Sequence, residues 1–75
     1  MNVEDLSEIL KDMYENAPKK EQVVHIHLFG IKYAEIIKKN NFRIAELIEK
    51  AGMKKSYKIE ISKGIKLSKF VKSIL

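Results

Sequence analysis

The segment formed by residues 44–64, IAELIEKAGMKKSYKIEISKG, constrains the fold more than any other part of the chain. Its apolar side chains recur every three or four residues on both sides of Gly52, a spacing that predicts two short amphipathic helices. Glycine readily adopts the left-handed conformation that ends many helices, and Ser56 is a good N-terminal cap for the second helix. With Gly64 near the end of that helix, the pattern is typical of a helix-turn-helix.

Within this segment, EKAGMKKSYKIEISKG resembles the helix-turn-helix of the lambda-repressor-like (XRE) regulators. Gly52 matches the turn glycine of that family, Met53 the apolar residue after it, Ile61 the buried residue of the second helix and Gly64 its terminal glycine. The resemblance implies a prokaryotic DNA-binding domain that serves in transcription regulation, or the DNA-binding module of a larger assembly.

Three positions depart from the family pattern. The family usually has an alanine at the position of Ile48, a capping serine at Lys54 and an apolar residue at Lys58. A second helix that starts late, is capped by Ser56 and buries Tyr57 and Ile61 would accommodate both lysines.

Charge is distributed unevenly along the 75 residues, whose formal net charge is +5. Residues 1–17 hold five acids and one base, whereas residues 50–75 hold eight lysines and one acid. A basic half joined to an acidic segment is typical of a nucleic-acid-binding protein with a non-contacting side. Lysine-rich surfaces also occur without this role, so the charge alone leaves both interpretations open.

The chain length predicts a single domain, residues 1–75, because so short a chain has no room for two cores. The sequence has no cysteine, which excludes disulfides, thiolate chemistry and cysteine-type zinc sites. No apolar run is long enough to cross a membrane, and the acidic N-terminus is unlike a signal peptide. We therefore expect a soluble cytoplasmic protein with no membrane partner.

The first half of the chain is predicted to form two helices. Asn2 is expected to cap the first, and Pro18 is expected in the first turn of the second. VVHIHLF alternates like a strand, yet an apolar face runs unbroken from Val23 through Gly30 to Ile37, which favours a long helix. The alternative is a winged domain in which VVHIHLF pairs with YKIEI.

The second half adds three more helices, giving an all-α, five-helix domain. Asn41 is expected to cap the helix before the turn, and residues 66–75 are expected to form the fifth helix. The residues predicted to be buried where the helices of the motif meet are Ile48, Ala51, Ile61 and Phe70.

No residues form a recognisable catalytic or metal-binding constellation. His25 and His27 are the only histidines and would point about 200° apart on a helix, with no carboxylate close in sequence. The serines lack a nucleophile motif, and no glycine-rich phosphate loop is present. We therefore expect neither enzyme activity nor a metal or cofactor.

The DNA interface is expected on the second helix of the motif, whose N-terminal end enters the major groove in repressor-like proteins. Its lysines would neutralise phosphates, while Lys55, Ser56 and Ile59 (the last against a thymine methyl) are the candidates for reading bases. Tyr57 has two interpretations, a DNA contact or packing, and packing is slightly favoured. The predicted DNA-binding residues are Arg43, Lys54, Lys55, Ser56, Tyr57, Lys58, Ile59, Lys63 and Lys66.

Double-stranded DNA is thus the expected partner. Because this helix has no Arg, Asn or Gln, one copy should discriminate sequences poorly, and a homodimer or a larger protein assembly would supply specificity. The alternative function is a small helical protein-interaction module, adaptor-like or antitoxin-like. Its contact surface would consist of Leu67, Phe70, Val71, Ile74 and Leu75.

Overall fold

The computed structural model describes residues 1–72, and this part of the chain is all-α. None of its helices is both long enough and apolar enough to cross a bilayer. Residues 23–29 lie inside a helix, so the long-helix prediction is confirmed and the winged alternative is wrong. The helices are α1 (Val3–Glu15), α2 (Gln22–Lys39), α3 (Ile44–Ala51) and α4 (Tyr57–Leu67).

Helix α1 begins with the predicted cap. The Asn2 side chain accepts a hydrogen bond from the Asp5 N–H at 2.8 Å, and the Asp5 carboxylate accepts one from the Asn2 N–H at 3.3 Å. This reciprocal pair satisfies two amides that the helix leaves without partners. Glu4 and Asp5 also place negative charge in the first turn, where the helix dipole favours it.

Helix α2 begins later than predicted, because the chain turns once more after Pro18. Lys20 has a left-handed backbone (φ 73°), which interrupts any helix, and the Glu21 N–H donates to the Pro18 carbonyl at 2.9 Å. The regular helix therefore starts at Gln22, and Pro18 lies outside it.

Asn41 does not cap α3, contrary to prediction. It has a left-handed backbone (φ 54°), a conformation that asparagine tolerates better than most residues, and it turns the chain after α2. The residue that immediately precedes α3 is Arg43, with an extended backbone and no capping side-chain bond. The Phe42 N–H donates to the Ile37 carbonyl at 3.0 Å, which ties this connection back to α2.

The helices contact one another in the cyclic order α1, α2, α4, α3, and one apolar cluster fills the space between them. Burial of Ile48, Ala51 and Ile61 is confirmed. Removing such side chains from water is the main favourable term in folding. The largest side chains that are fully buried are Phe29, Leu6, Leu10, Ile26, Leu47, Ile48 and Ile61.

The predictions of a fifth helix and of a buried Phe70 are wrong. Helix α4 continues to Leu67, and residues 68–70 form turns in which the Phe70 N–H donates to the Leu67 carbonyl at 2.9 Å. The described part of the chain therefore has four helices, and Phe70 is 82% exposed. Ile74 and Leu75, expected on the fifth helix, lie outside the described residues.

Candidate nucleic-acid interface

The turn between α3 and α4 has the predicted glycine geometry. Gly52 is left-handed (φ 72°, ψ 26°), and its N–H donates to the Glu49 carbonyl. The Met53 N–H donates to the Ile48 carbonyl at 3.0 Å, which completes the Schellman arrangement of hydrogen bonds. Met53 also packs against the core, so this turn holds the start of α4 close to the end of α3.

Helix α4 starts at Tyr57, as late as predicted, but Ser56 does not cap it through its side chain. The backbone of Ser56 is already helical (φ −60°, ψ −23°), which is unlike the extended backbone of most capping residues. The N–H groups of Tyr57 and Lys58 instead donate to the carbonyls of Lys54 and Lys55 at 3.1 and 3.0 Å. The hydroxyl of Ser56, an exposed residue, is therefore available to a ligand.

Gly64 lies in the interior of α4 rather than at its end, and it is buried against Gly30 of α2. A Cβ added to Gly64 would lie 2.3 Å from the carbonyl oxygen of His27 and 3.0 Å from the Gly30 Cα. A Cβ added to Gly30 would lie 2.6 Å from the Ile61 carbonyl oxygen. The backbones of α2 and α4 thus cross in direct contact, and this crossing fixes the position of α4.

Tyr57 opens α4 and faces the core rather than solvent. Its ring meets that of Tyr14 edge to face, with centroids 5.2 Å apart, and the two hydroxyls share a hydrogen bond of 3.0 Å. This bond, helped by desolvation, raises the pKa of the Tyr14 hydroxyl. The structure therefore supports the packing interpretation of Tyr57, which joins the start of α4 to the end of α1.

A polar contact between α2 and α4 lies beside the glycine crossing. A carboxylate can only accept hydrogen bonds, so His27 Nε2 donates to Glu60 Oε1, at 2.7 Å. This bond lowers the pKa of the Glu60 carboxyl, and the Lys63 ammonium, 3.6 Å from Oε2, acts in the same direction. The Glu60 carboxylate thus bonds to α2 and helps to fix the position of α4.

The lowered pKa of Glu60 predicts a measurable pH dependence of stability. Its contribution is present above the ordinary carboxyl value of 4.5 and is lost as the pH falls through the lower folded-state value. We expect Glu60→Gln to have a lower urea midpoint than the parent at pH 7, with the difference shrinking below pH 4.5. Glu46→Gln, an exposed position of α3, is the control. A pH-independent difference for Glu60→Gln would contradict the ionic role of this contact.

The exposed side of α4 carries lysines, and we call this side the α4 outer face. Side chains three, four and seven residues apart lie on one side of a helix, so Ser56, Ile59, Lys63 and Lys66 share this face. All four are exposed. Lys55 and Lys58 flank the face at its N-terminal end and are exposed as well.

A shallow groove separates α3 from the start of α4. Its lining combines apolar side chains with charged ones, namely Ala45, Ile48, Met53, Glu49, Lys55 and Lys58. Lys55 and Lys58 therefore line the groove and also flank the α4 outer face.

Arg43 is set apart from the other predicted site residues. It is exposed and immediately precedes α3, whereas Lys54 follows the other end of that helix. Eight residues of helix separate the two ends by about 12 Å. The structure thus places Ser56, Ile59, Lys63 and Lys66 on one side of α4, and Arg43 at the end of α3 that is farther from the turn.

Acidic side chains are concentrated on a different part of the molecule. A surface depression along α1 is lined by Glu4, Glu8, Asp12 and Glu15, and Lys50 of α3 lies 3.2 Å from Glu4. Within residues 1–72, no three His, Asp or Glu side chains are arranged to hold a metal ion. The molecule therefore presents an acidic α1 surface and a basic α4 surface.

Residues 2–74 match the family model of an HTH-like domain. The chain belongs to this HTH-like domain family, which suggests DNA binding and is typical of non-enzymatic DNA-binding proteins. No curated protein and no solved structure matches the chain. The family match does not extend to the lambda-repressor-like subfamily, so that resemblance stays a prediction.

Proposed function

We propose that the protein binds double-stranded DNA by inserting the α4 outer face into the major groove. The observation that supports this most strongly is the separation of the two sides of α4. Its inner side is held by Gly30, His27 and Tyr14. Its outer side exposes lysines, of which Lys63 is paired with Glu60 of the same helix. The major groove of B-DNA is about 12 Å wide and admits one helix.

The lysines of this surface contact phosphates. Lys55, Lys58, Lys63 and Lys66 point long, flexible ammonium groups outward, which suits neutralisation of the backbone better than reading of bases. Lys54 adds a phosphate contact from the turn before α4. Ser56 lies at the N-terminal end of α4, the part of the recognition helix whose side chains contact base edges in helix-turn-helix proteins.

Arg43 extends the interface to the flank. In helix-turn-helix proteins the helix before the turn crosses the DNA backbone, and Arg43 lies at the start of that helix here. Tyr57 positions α4 instead of touching DNA, since its hydroxyl is bonded to Tyr14.

We further propose that the protein acts as a transcriptional regulator or as the DNA-binding module of a larger assembly. Affinity that comes mainly from lysine–phosphate contacts carries little sequence information. A second copy bound to the same site, or an attached partner, would supply the discrimination that a single α4 lacks.

An electrophoretic mobility shift on mixed-sequence duplex DNA at two salt concentrations tests this proposal. Each neutralised phosphate contributes about −0.9 to the slope of log affinity against log salt. We expect the double variant Lys55→Ala, Lys58→Ala to bind all duplexes more weakly and to have a slope shallower by roughly one to two.

Lys19 and Lys20 provide the matched control for this measurement. Alanine at both positions removes the same amount of charge from the turn before α2, outside α4, and should have the smaller effect. Equal losses for the two double variants would indicate only nonspecific attraction to a basic protein. Absence of any duplex binding at low salt would contradict DNA binding itself.

A second candidate function is supported by the exposed apolar side chains at the end of α4 and just after it. Phe70 is 82% exposed, and Leu67 and Val71 are 43% and 47% exposed. This surface suits a protein partner, as in an adaptor or antitoxin-like module. With that function, Phe70→Ala would abolish partner binding, whereas alanine at Lys55 and Lys58 would leave it unchanged.

A further inference from the structure

Ile59 is the one apolar side chain among the residues that share the α4 outer face. It is 62% exposed, and Ser56, Lys63 and Lys66 lie three, four and seven residues away on the same side of the helix. It is not among the side chains that pack against the core, so burial in the fold does not explain why this position is apolar. Single exposed apolar residues are common on protein surfaces and need no explanation by themselves. Ile59 is of interest because it lies between Ser56 and the lysines of the proposed DNA-binding face.

An isoleucine in the major groove can recognise only one feature of a base pair. The side chain neither donates nor accepts hydrogen bonds, and the apolar group displayed in this groove is the methyl on C5 of thymine. The same carbon carries the methyl of 5-methylcytosine. The base that Ile59 would contact is therefore a 5-methylpyrimidine, either thymine or 5-methylcytosine.

We propose that Ile59 reads the C5 methyl group of a pyrimidine and gives the protein its main base preference. This inference rests on the proposed function, since it requires the α4 outer face to lie in the major groove. Helix α4 contains no Arg, Asn or Gln, and its single acid, Glu60, is bonded to His27. With the lysines on phosphates, as proposed above, the means of discrimination that remain are the Ser56 hydroxyl and a methyl contact from Ile59.

The structure holds Ile59 rigidly enough for such a contact. The Gly30–Gly64 crossing leaves α4 no room to shift toward α2, and the Tyr14–Tyr57 contact secures its first turn. A β-branched side chain in a helix is also largely confined to one rotamer. The Cγ2 methyl group of Ile59 is thus presented at a defined place on the α4 outer face.

Deoxyuridine substitution tests the proposal, because it removes the thymine methyl and leaves base pairing unchanged. A duplex is first selected from a random library for tight binding, and each thymine is then replaced in turn. We expect affinity to fall about fourfold at one or two positions, the effect of losing one buried methyl group. A parallel comparison of cytosine with 5-methylcytosine at those positions distinguishes the two sources of the methyl.

Ile59→Ala should bind the thymine and deoxyuridine duplexes equally, whereas Ile59→Val should keep most of the difference. Leu67→Ala, another exposed apolar position of α4, is the matched control and should discriminate as the parent does. The proposal is overturned if the parent binds both duplexes equally at every position, or if Ile59→Ala still discriminates. Absence of binding to any duplex would instead reject the proposed function, and this inference with it.

Discussion

Gly64→Ala is expected to destabilise the fold by about 3 kcal/mol, at the upper end of the range for overpacking a core. Helix propensity alone predicts the opposite, since alanine is favoured over glycine by about 1 kcal/mol inside a helix. The steric effect dominates because the new Cβ would lie 2.3 Å from the carbonyl oxygen of His27, a backbone atom that cannot rotate away. Urea denaturation followed by circular dichroism measures the change.

Gly30→Ala should behave similarly, because its Cβ would meet the Ile61 carbonyl oxygen at 2.6 Å. Gly52→Ala is the contrasting control. Nothing lies within 4 Å of its added Cβ, so only the left-handed backbone (φ 72°) opposes the change, at about 1 kcal/mol. A Gly64→Ala protein as stable as the parent would mean that α2 and α4 do not cross at these glycines.

Ile61→Ala is expected to cost about 2–5 kcal/mol, the usual range for truncating a buried aliphatic side chain. Ile61 is fully buried in the apolar cluster to which all four helices contribute, so its truncation leaves a cavity. The free energy of unfolding from urea titration gives the value directly.

Phe70→Ala is the matched comparison for Ile61→Ala. The side chain is larger, but it is 82% exposed, and a surface substitution of this kind should change stability by less than about 0.5 kcal/mol. If Phe70→Ala proved as costly as Ile61→Ala, the sequence-based prediction of a buried Phe70 would be right after all.

Most of the helices could be predicted because their signals are local. The capping pair of Asn2 and Asp5, the apolar spacing of α1 to α3 and the left-handed Gly52 each depend on residues within a few positions of one another. Helix propensity and periodicity report such short-range preferences well.

The errors came where local patterns compete with tertiary structure. Leu67 and Phe70 have helical spacing, yet α4 ends between them and the core is already filled without Phe70. Gly64 was expected to end a helix, because glycine there is a common stop signal. Its interior position follows from contact with Gly30, 34 residues earlier in the chain. Two isolated glycines inside helical patterns were the one sequence signal of this crossing.

The candidate interface was partly predictable for the same reason. The exposed side of α4 follows from its periodicity, so Ser56, Ile59 and the two lysines that share their face, Lys63 and Lys66, could be placed together from sequence alone. The contacts that hold the other face could not, since Tyr14 and His27 are 43 and 33 residues distant from their partners. Those partners explain why Tyr57 and Glu60 are partly buried.

The most direct test of the central proposal is a map of amide chemical-shift changes when the protein is titrated with a mixed-sequence DNA duplex. We expect the largest changes between Lys54 and Lys66, concentrated on the α4 outer face, with smaller ones at Arg43 and little change along the acidic α1. Changes confined to residues 67–72 and the adjoining surface of α2, or no changes at all at low salt, would contradict DNA binding through α4.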